Sequence, residues 1–293
     1  MNAPSTTLHI VEVLRAFQGS FPMNLKLMRE LYGLRSLEVM PEASSPFHLV
    51  HEGKPLPVHL PCDAVIGVHS FLMKSWDEGK PKFLIQFAQG LTDGAVLVDV
   101  GANVGLFSRQ CLSLMPNLRE VHCYEPHPGN HEMLQRNLGM LPHANLVNLG
   151  LSTESGSISF YEDPSNVGNY SLNLKAMPPV YRESKVEVVN AATQEDRWLA
   201  SGRPIFYKSD TQGHDELIAT ALSDHFWSQV KVGFFELWRL EGKTFDRTRF
   251  AQILDGFPYK VFEKAPTVNV TTAEVMTYLE GVDGAFDDLL FWR

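Results

Sequence analysis

Three short stretches of this chain gather acids, glycines and amides in spacings that could hold and transform a charged ligand. The first, Asp99-Val-Gly101-Ala-Asn103-Val-Gly105, directly follows the aliphatic run Val96-Leu-Val98. An apolar run, a tight turn and a helix start in that order mark the place where an open α/β sheet binds a nucleotide-like ligand. Gly101 and Gly105 let the backbone bend and approach a ligand where a Cβ would intrude. Asn103 tolerates a positive φ and offers an amide for hydrogen bonding. Asp99, at the carboxyl end of the strand, would attract an ammonium or sulfonium group and repel a pyrophosphate. A dinucleotide fingerprint needs glycine at its first, third and sixth positions. Here those are Gly101, Asn103 and Leu106, and two of the three fail.

A nucleoside ligand carrying both an ammonium and a sulfonium is S-adenosylmethionine. Glu125, at the end of the next strand, is placed to accept hydrogen bonds from two ribose hydroxyls, and Pro126 keeps the following turn near the adenosine. Asn148, Gly150 and Ser152 follow a third strand, at the end that normally closes over the adenine face. The third stretch is Lys208-Ser-Asp210-Thr-Gln212-Gly-His214-Asp215. Asp210 sits there at the carboxyl end of a predicted strand, along the edge where open sheets gather ligands. Methyl transfer from a sulfonium mainly requires alignment and exclusion of water. An alcohol acceptor must also lose its proton to a base within hydrogen-bond reach. Asp210 and His214 are the candidates, His214 being the side chain most able to titrate near neutrality. Glu236 interrupts the apolar run Gly233-Phe-Phe-Glu236-Leu-Trp238. A carboxylate there is costly unless paired or facing a cleft, which makes it a substrate-binding candidate. Asp210 and Glu236 supply oxygen ligands, but two carboxylates do not define a cation site, and no metal is expected.

These side chains need a sheet beneath them. From Gly94 onward predicted strands alternate with helices: Val96–Val100, a helix over Leu106–Leu114, Glu120–Tyr124, a helix from about Asn130 to Leu141, and Asn145–Leu149. Further strands are expected at Ser157–Tyr161, Lys185–Val189, Pro204–Lys208, Val230–Leu237, Tyr259–Phe262 and Asp288–Trp292, with helices over Asp215–Ala221 and Thr248–Asp255. That alternation predicts a mostly parallel sheet covered on both faces. The polar segment from Asp163 to about Lys185 reads as a surface loop, a lid or substrate-binding segment. Residues 1–90 read as an α+β extension of the domain at 91–293. They carry helical patterns at Leu8–Phe17 and Leu25–Leu34, and a hairpin of Phe47–His51 with Leu56–Leu60 around Glu52-Gly53-Lys54. A further helix is expected from Trp76 to Gly90. A chain of 293 residues with 44% hydrophobic and 20% charged residues is ordinary for a soluble protein. The net charge of −9, with no Lys/Arg-rich run, argues against a nucleic-acid partner. Three cysteines, Cys62, Cys111 and Cys123, without a CxxC pair suit a reducing compartment and offer no thiolate metal site. Without a signal pattern or a run of about 18 apolar residues, a cytoplasmic protein with no membrane partner is expected.

Taken together, the Asp99–Gly105 turn, Tyr124-Glu125-Pro126, Asn148-Leu-Gly150-Leu-Ser152-Thr-Glu-Ser-Gly156 and Lys208–Asp215 resemble the FkbM-type S-adenosylmethionine-dependent methyltransferases. The likeness runs from about residue 93 to 240. It implies a Rossmann-like class I methyltransferase sheet of seven strands, the last inserted antiparallel. It also implies methyl transfer to a hydroxyl of a sugar, polyketide or similar small metabolite. The family's usual Asp-x-Glu-Gly carries Gln212 where the Glu would be. A neutral Gln212 cannot act as a base but can hydrogen-bond cofactor or acceptor. Ser209 replaces an apolar residue, and the Leu-Asp-Asp usual before this strand is blurred to Thr193-Gln-Glu-Asp-Arg-Trp198. Trp76 and Glu78 are the extension's candidates for approaching the cofactor. Two competing readings are an NAD-dependent oxidoreductase, opposed by Asp99 and the missing glycines, and a non-catalytic S-adenosylmethionine-binding protein, for which Gln212 speaks.

Overall fold

The computed structural model describes residues 36–63, 65–163 and 166–293; the helical patterns at Leu8–Phe17 and Leu25–Leu34 lie outside them. In chain order the strands are β1 (Ser36–Val39), β2 (Leu49–His51), β3 (Lys54–Leu56), β4 (Val58–Pro61), β5 (Ala95–Val100), β6 (Leu118–Tyr124) and β7 (Ala144–Val147). There follow β8 (Gly150–Ser152), β9 (Gly156–Glu162), β10 (Arg182–Asn190), β11 (Ile205–Ser209), β12 (Val230–Trp238), β13 (Tyr259–Phe262) and β14 (Phe286–Trp292).

Seven strands form the central sheet in the order β13-β14-β12-β11-β5-β6-β7. All run parallel except β14, which inserts antiparallel between β12 and β13. This is the class I methyltransferase sheet that the resemblance implied. Strand order reverses beside β5: the chain goes from β5 to β6 on one side and later returns to β11 on the other. A reversal of that kind opens a crevice at the carboxyl ends of the strands. Side chains alternate between two cores, as a period of two requires. Phe206 faces one with Leu97, Phe107, Leu134 and Phe234, while Ile205 and Tyr207 face the other with Val96, Trp198, Phe226, Trp227, Phe235 and Phe291. All three cysteines are buried within the cores.

Helix Leu106–Leu114 has the expected bounds, and the helix expected to begin over Asp215–Ala221 starts at Asp215 and ends at Ala221. The short helices Ile66–Met73, Glu195–Leu199, Asp224–Gln229 and Thr272–Tyr278 have no counterpart in the sequence reading. The N-terminal hairpin turns at Glu52-Gly53 but pairs Leu49–His51 with Lys54–Leu56. Val58–Pro61 instead joins Ser36–Val39 in a separate two-stranded sheet. Pro57 explains the break, since it cannot donate to a ladder and ends the hairpin. The extra strand expected at Ser157–Tyr161 is β9, which joins β8 and β10 in a small sheet off the central one. The polar loop is shorter than expected because β10 already begins at Arg182.

Arg109 joins the extension to the sheet. Its guanidinium is fully buried and donates from Nε to the Phe47 carbonyl (2.7 Å), from Nη2 to that of Leu56 (2.7 Å) and from Nη1 to that of Asn137 (3.0 Å). Burial pushes its pKa down to about 10, so it stays charged near neutrality. Around it Leu37, Phe47, Val58, Leu60 and Ile66 of the extension pack on Val104, Leu106 and Met133. Replacing Arg109 by Leu strands the buried carbonyls of Phe47 and Asn137 and the half-buried one of Leu56. An unmet buried acceptor costs about 1–3 kcal/mol, so R109L should lose roughly 3 kcal/mol or more of stability in urea unfolding. Protease cleavage between residues 40 and 60 should rise with it; unchanged unfolding would disprove the clamp.

Candidate active site

A cavity of about 460 Å³ opens at the carboxyl ends of β5, β6, β11 and β12, a size typical of small-molecule sites. The turn Gly101–Val104, Glu125, Pro126, Gly150 and Leu151 line one end; Asp210, Gln212, Glu236, Trp238, Phe286 and Asp288 line the other. Gly101 has φ 74°, and a Cβ there would lie 2.0 Å from the Asp210 carbonyl oxygen. Glycine is therefore what lets the turn after β5 abut the end of β11. Asn103 adopts the expected positive φ, 51°.

Asp99 does not reach this cavity, contrary to the expectation that its carboxylate meets the cofactor. Its side chain is fully buried, 2.9 Å from Lys208 Nζ, and Oδ2 accepts from Ser108 Oγ at 2.5 Å. The cause is register: Asp99 on β5 lies opposite Lys208 on β11. Lys208 also donates to the carbonyls of Gly101 (2.5 Å) and Val100 (3.3 Å), and lies 3.8 Å from Asp210. Burial opposes its charge, but Asp99 and Asp210 outweigh burial and hold its pKa above the ordinary lysine value. Lys208 lines the cavity where Asp99 does not. Lys208 stands within its sequence motif without an expected role, because pairing between strands far apart in the chain is not written in either segment.

Glu125 lines the cavity and is 4% exposed. Its Oε2 accepts from the Asn103 backbone N–H and its Oε1 from that of His127, both at 2.9 Å. Burial pushes its pKa up to about 7 against those two hydrogen bonds. Asn148 stands behind it, donating to the carbonyls of Glu125 (2.8 Å) and Pro126 (3.0 Å) rather than lining the cavity. Pro126, Leu151, Phe160, Tyr170, Leu172 and Ile218 form an apolar slot beside Glu125 that suits a purine ring. Phe160 comes from β9, a strand expected from the sequence but given no role in the site, and Tyr170 from the loop after it, which was expected to be a lid or substrate-binding segment. The Val167 carbonyl of that loop accepts from Asn103 Nδ2 at 2.9 Å, and Ser171 Oγ donates to the Gln212 carbonyl at 2.7 Å.

At the other end, Gln212 Nε2 donates to Asp210 Oδ1 at 3.1 Å. Ser209 Oγ donates to the buried Asp215 carboxylate at 2.5 Å, which holds the turn after β11. Glu236 is 6% exposed and accepts from Trp238 Nε1 at 2.6 Å; burial, with Asp210 and Asp288 nearby, pushes its pKa well up. Lys80 lies 2.7 Å from Asp288 and 2.5 Å from Asp77. Trp76, Asp77 and Lys80 line the cavity; Glu78 does not, and pairs with Lys82 at 2.8 Å. Asp77, Lys80 and Asp288 went unrecognised in the sequence, where each resembles an ordinary surface charge.

Three further candidates lie off the cavity. Gly105, φ 81°, starts helix Leu106–Leu114, and a Cβ there would lie 2.6 Å from Leu134 Cδ1, so it serves packing. Ser152 Oγ and His214 Nε2 are 3.3 Å apart and satisfy each other. Burial, with Lys243 nearby, pushes His214 down to about 4. It is neutral near pH 7 and turned toward β8.

Two outcomes are expected of this geometry. Lys208→Met leaves Asp99 buried without a counter-charge, which typically costs about 3–5 kcal/mol. Its denaturation midpoint should fall accordingly, and S-adenosylhomocysteine binding with it; a variant as stable as the wild type would refute the pairing. Second, a diol donating to Glu125 favours the ionised carboxylate, so binding below pH 7 requires loss of a proton. Calorimetry of S-adenosylhomocysteine binding should show affinity falling as pH drops through about 7 and flat above it. Glu125→Gln should weaken binding and remove that limb.

No protein-family profile matches the chain. It is 24% identical over 199 residues, 54% of its length and 76% of the relative's, to Methyltransferase sdnD of Sordaria araneosa. Among solved structures, methyltransferase FkbM of Methylobacillus flagellatus KT aligns with 14% identity and a TM-score of 0.42, covering 77% of this chain and 52% of that one. A precorrin-6y C5,15-methyltransferase of Geobacter metallireducens GS-15 aligns with 13% identity and a TM-score of 0.34, covering 73% and 87%. The chain thus spans about half the length of the first of these structures. Its fold is established by the strand order itself, six parallel strands with β14 inserted between β12 and β13: a class I methyltransferase sheet, in a chain whose curated relative is a methyltransferase.

Proposed function

We propose that this S-adenosylmethionine-dependent methyltransferase O-methylates a hydroxyl of a small molecule, a sugar, polyketide or similar metabolite, with Asp210 as general base. Glu125 would hold the ribose hydroxyls, the slot between Pro126 and Tyr170 the adenine, and the turn Gly101–Asn103 the remainder of the cofactor. When bound, S-adenosylmethionine supplies a methyl carbon that an oxygen nucleophile takes as the carbon–sulfur bond breaks. The protein's own part is to align the acceptor, exclude water and receive the hydroxyl proton.

One observation carries the choice of base. Asp210 opens into the cavity at the end of β11 with its carboxylate held at Oδ1 by Gln212 and 3.8 Å from Lys208 at Oδ2. It is at once accessible, oriented and beside the Lys208 ammonium. His214 has the wrong direction and no opening to the cavity. The substitution of Gln212 for the family's Glu also takes a chemical meaning here: a Glu would set a like charge against Asp210, whereas the amide donates to it. That supports an active site over a non-catalytic binder. The NAD-dependent alternative is disfavoured by the lining, in which Asp77, Glu125, Asp210, Glu236 and Asp288 outnumber Lys80 and Lys208. A pyrophosphate would enter against that balance.

An acceptor screen scored by S-adenosylhomocysteine release tests this reading. Loss of a positioned base typically costs about 10²–10⁴-fold, so Asp210→Asn should lower kcat on that scale while His214→Ala stays within a few-fold. Equal turnover by wild type and Asp210→Asn would remove Asp210 from the role. Calorimetric binding of NAD with none of S-adenosylmethionine would remove the function.

A further inference from the structure

We infer that the acceptor of this enzyme carries a protonated amine, bound by Glu236 against the Trp238–Phe286 aromatic pair one strand away from the hydroxyl that Asp210 serves. This rests on the methyltransferase reading and names the acceptor's class.

Asp210, Glu236 and Asp288 occupy one row across three neighbouring strands. Ser209 of β11 lies opposite Phe235 of β12, which puts the next residues, Asp210 and Glu236, side by side. Glu236 in turn lies opposite Asp288 of β14. All three line the cavity. Like charges directly opposite on adjacent strands are destabilising, and burial removes the water that would screen them. Asp288 is answered by Lys80 at 2.7 Å. Glu236 is not: its Oε2 takes the Trp238 indole N–H, and no described residue donates to or pairs with Oε1. Without a counter-charge, burial favours the protonated form of such a group, and a cation seated beside its free oxygen favours the carboxylate.

The whole lining points the same way. Five carboxylates face two lysines there, and neither arginine nor histidine contributes. Lys208 is already engaged by Asp99 and Lys80 by Asp77 and Asp288. S-adenosylmethionine brings one net positive charge, which leaves an acidic excess at the end where the acceptor must enter. Among the described residues, no group of three or more acid, histidine or cysteine side chains is arranged to hold a metal ion. An ammonium needs less: one carboxylate and an aromatic face. Trp238 supplies that face; Phe286 backs it, stacked with centroids 4.7 Å apart, and Lys264 Nζ already lies over the Phe286 ring at 5.0 Å.

The amine is the handle and the hydroxyl the nucleophile. A carboxylate beside it keeps an amine protonated and without a free lone pair, so it cannot take the methyl group. Adjacent strands lie about 4.8 Å apart, so a ring bearing its amine and hydroxyl on neighbouring or next-but-one carbons can reach Glu236 and Asp210 together. A cyclic amino alcohol, such as an amino sugar or aminocyclitol, has that shape.

The test titrates S-adenosylhomocysteine-loaded protein with amino sugars, aminocyclitols and 3-hydroxypiperidine, each matched to its N-acetyl form and, for the sugars and cyclitols, its hydroxyl analogue, using ligand-observed NMR. The amines should bind at least tenfold more tightly than their matches. Glu236→Gln, which keeps an acceptor for the Trp238 indole, should reduce that advantage to within twofold while S-adenosylhomocysteine affinity holds. Removing a buried like charge should also leave this variant melting no lower than the wild type. Equal binding within matched sets, an advantage that survives in Glu236→Gln, or no binding by any amine overturns the inference. Failure to bind S-adenosylhomocysteine instead overturns the methyltransferase reading, and the amine preference is then still decided on the free protein.

Discussion

A buried lysine between two acids on neighbouring strands is the constraint from which this site follows. Lys208 has Asp99 at 2.9 Å on one side and Asp210 at 3.8 Å on the other, and it holds the carbonyls that end β5. The desolvation cost of such a charge is large, and the geometry must offset it through close partners. Here it does so by fixing three things together: the glycine turn after β5, the end of β11, and the one carboxylate of that group which opens to the cavity. The Asp210 N–H completes the join by donating to the Val100 carbonyl at 3.1 Å. Two segments more than one hundred residues apart in sequence are thereby held as one surface.

Much of this was legible in the chain because the signals are local. Leu106–Leu114 follows a glycine in the left-handed region and has amphipathic spacing, and its bounds match the reading residue for residue. Glu125 follows its strand at once, and its place in the cavity needs only that strand to lie beside β5. Asp99 shows where local reading stops. Its position at the strand end was correct, yet its direction depends on Lys208, brought opposite it only by the return of the chain from β10 to β11. The same limit hid Asp288, which gains meaning from Lys80 and Glu236 rather than from its own neighbours. Lys80 and Asp77 lie in a stretch that reads as a plain amphipathic helix start. His214 failed for a different reason: the titration expected of a histidine near neutrality is lost once burial withdraws the water that stabilises its charge.

Attraction for a sulfonium does not come from the acid at the end of β5, which Lys208 neutralises. In the proposed site it would come from the cavity as a whole, whose lining holds more acids than lysines. A field assembled from several strands is less legible than a motif, and it also reaches further. In the proposed reaction it would act on the acceptor as well as on the cofactor.

Such a row of acids is tolerable only on a support that does not yield. Directly beneath it, Tyr207, Phe226, Trp227, Phe235 and Phe291 form a continuous set of edge-to-face and stacked contacts, with Phe235 and Phe291 at 4.7 Å. Phe235 and Glu236 are consecutive on β12, so one side chain anchors the strand in the core while the next presents a carboxylate to the cavity on the opposite face. Packing of this density resists the small backbone shifts that would let Glu236 and Asp288 move apart. Burial and the neighbouring acids disfavour a charge on Glu236, and under the proposed reading a cationic acceptor would offset that cost.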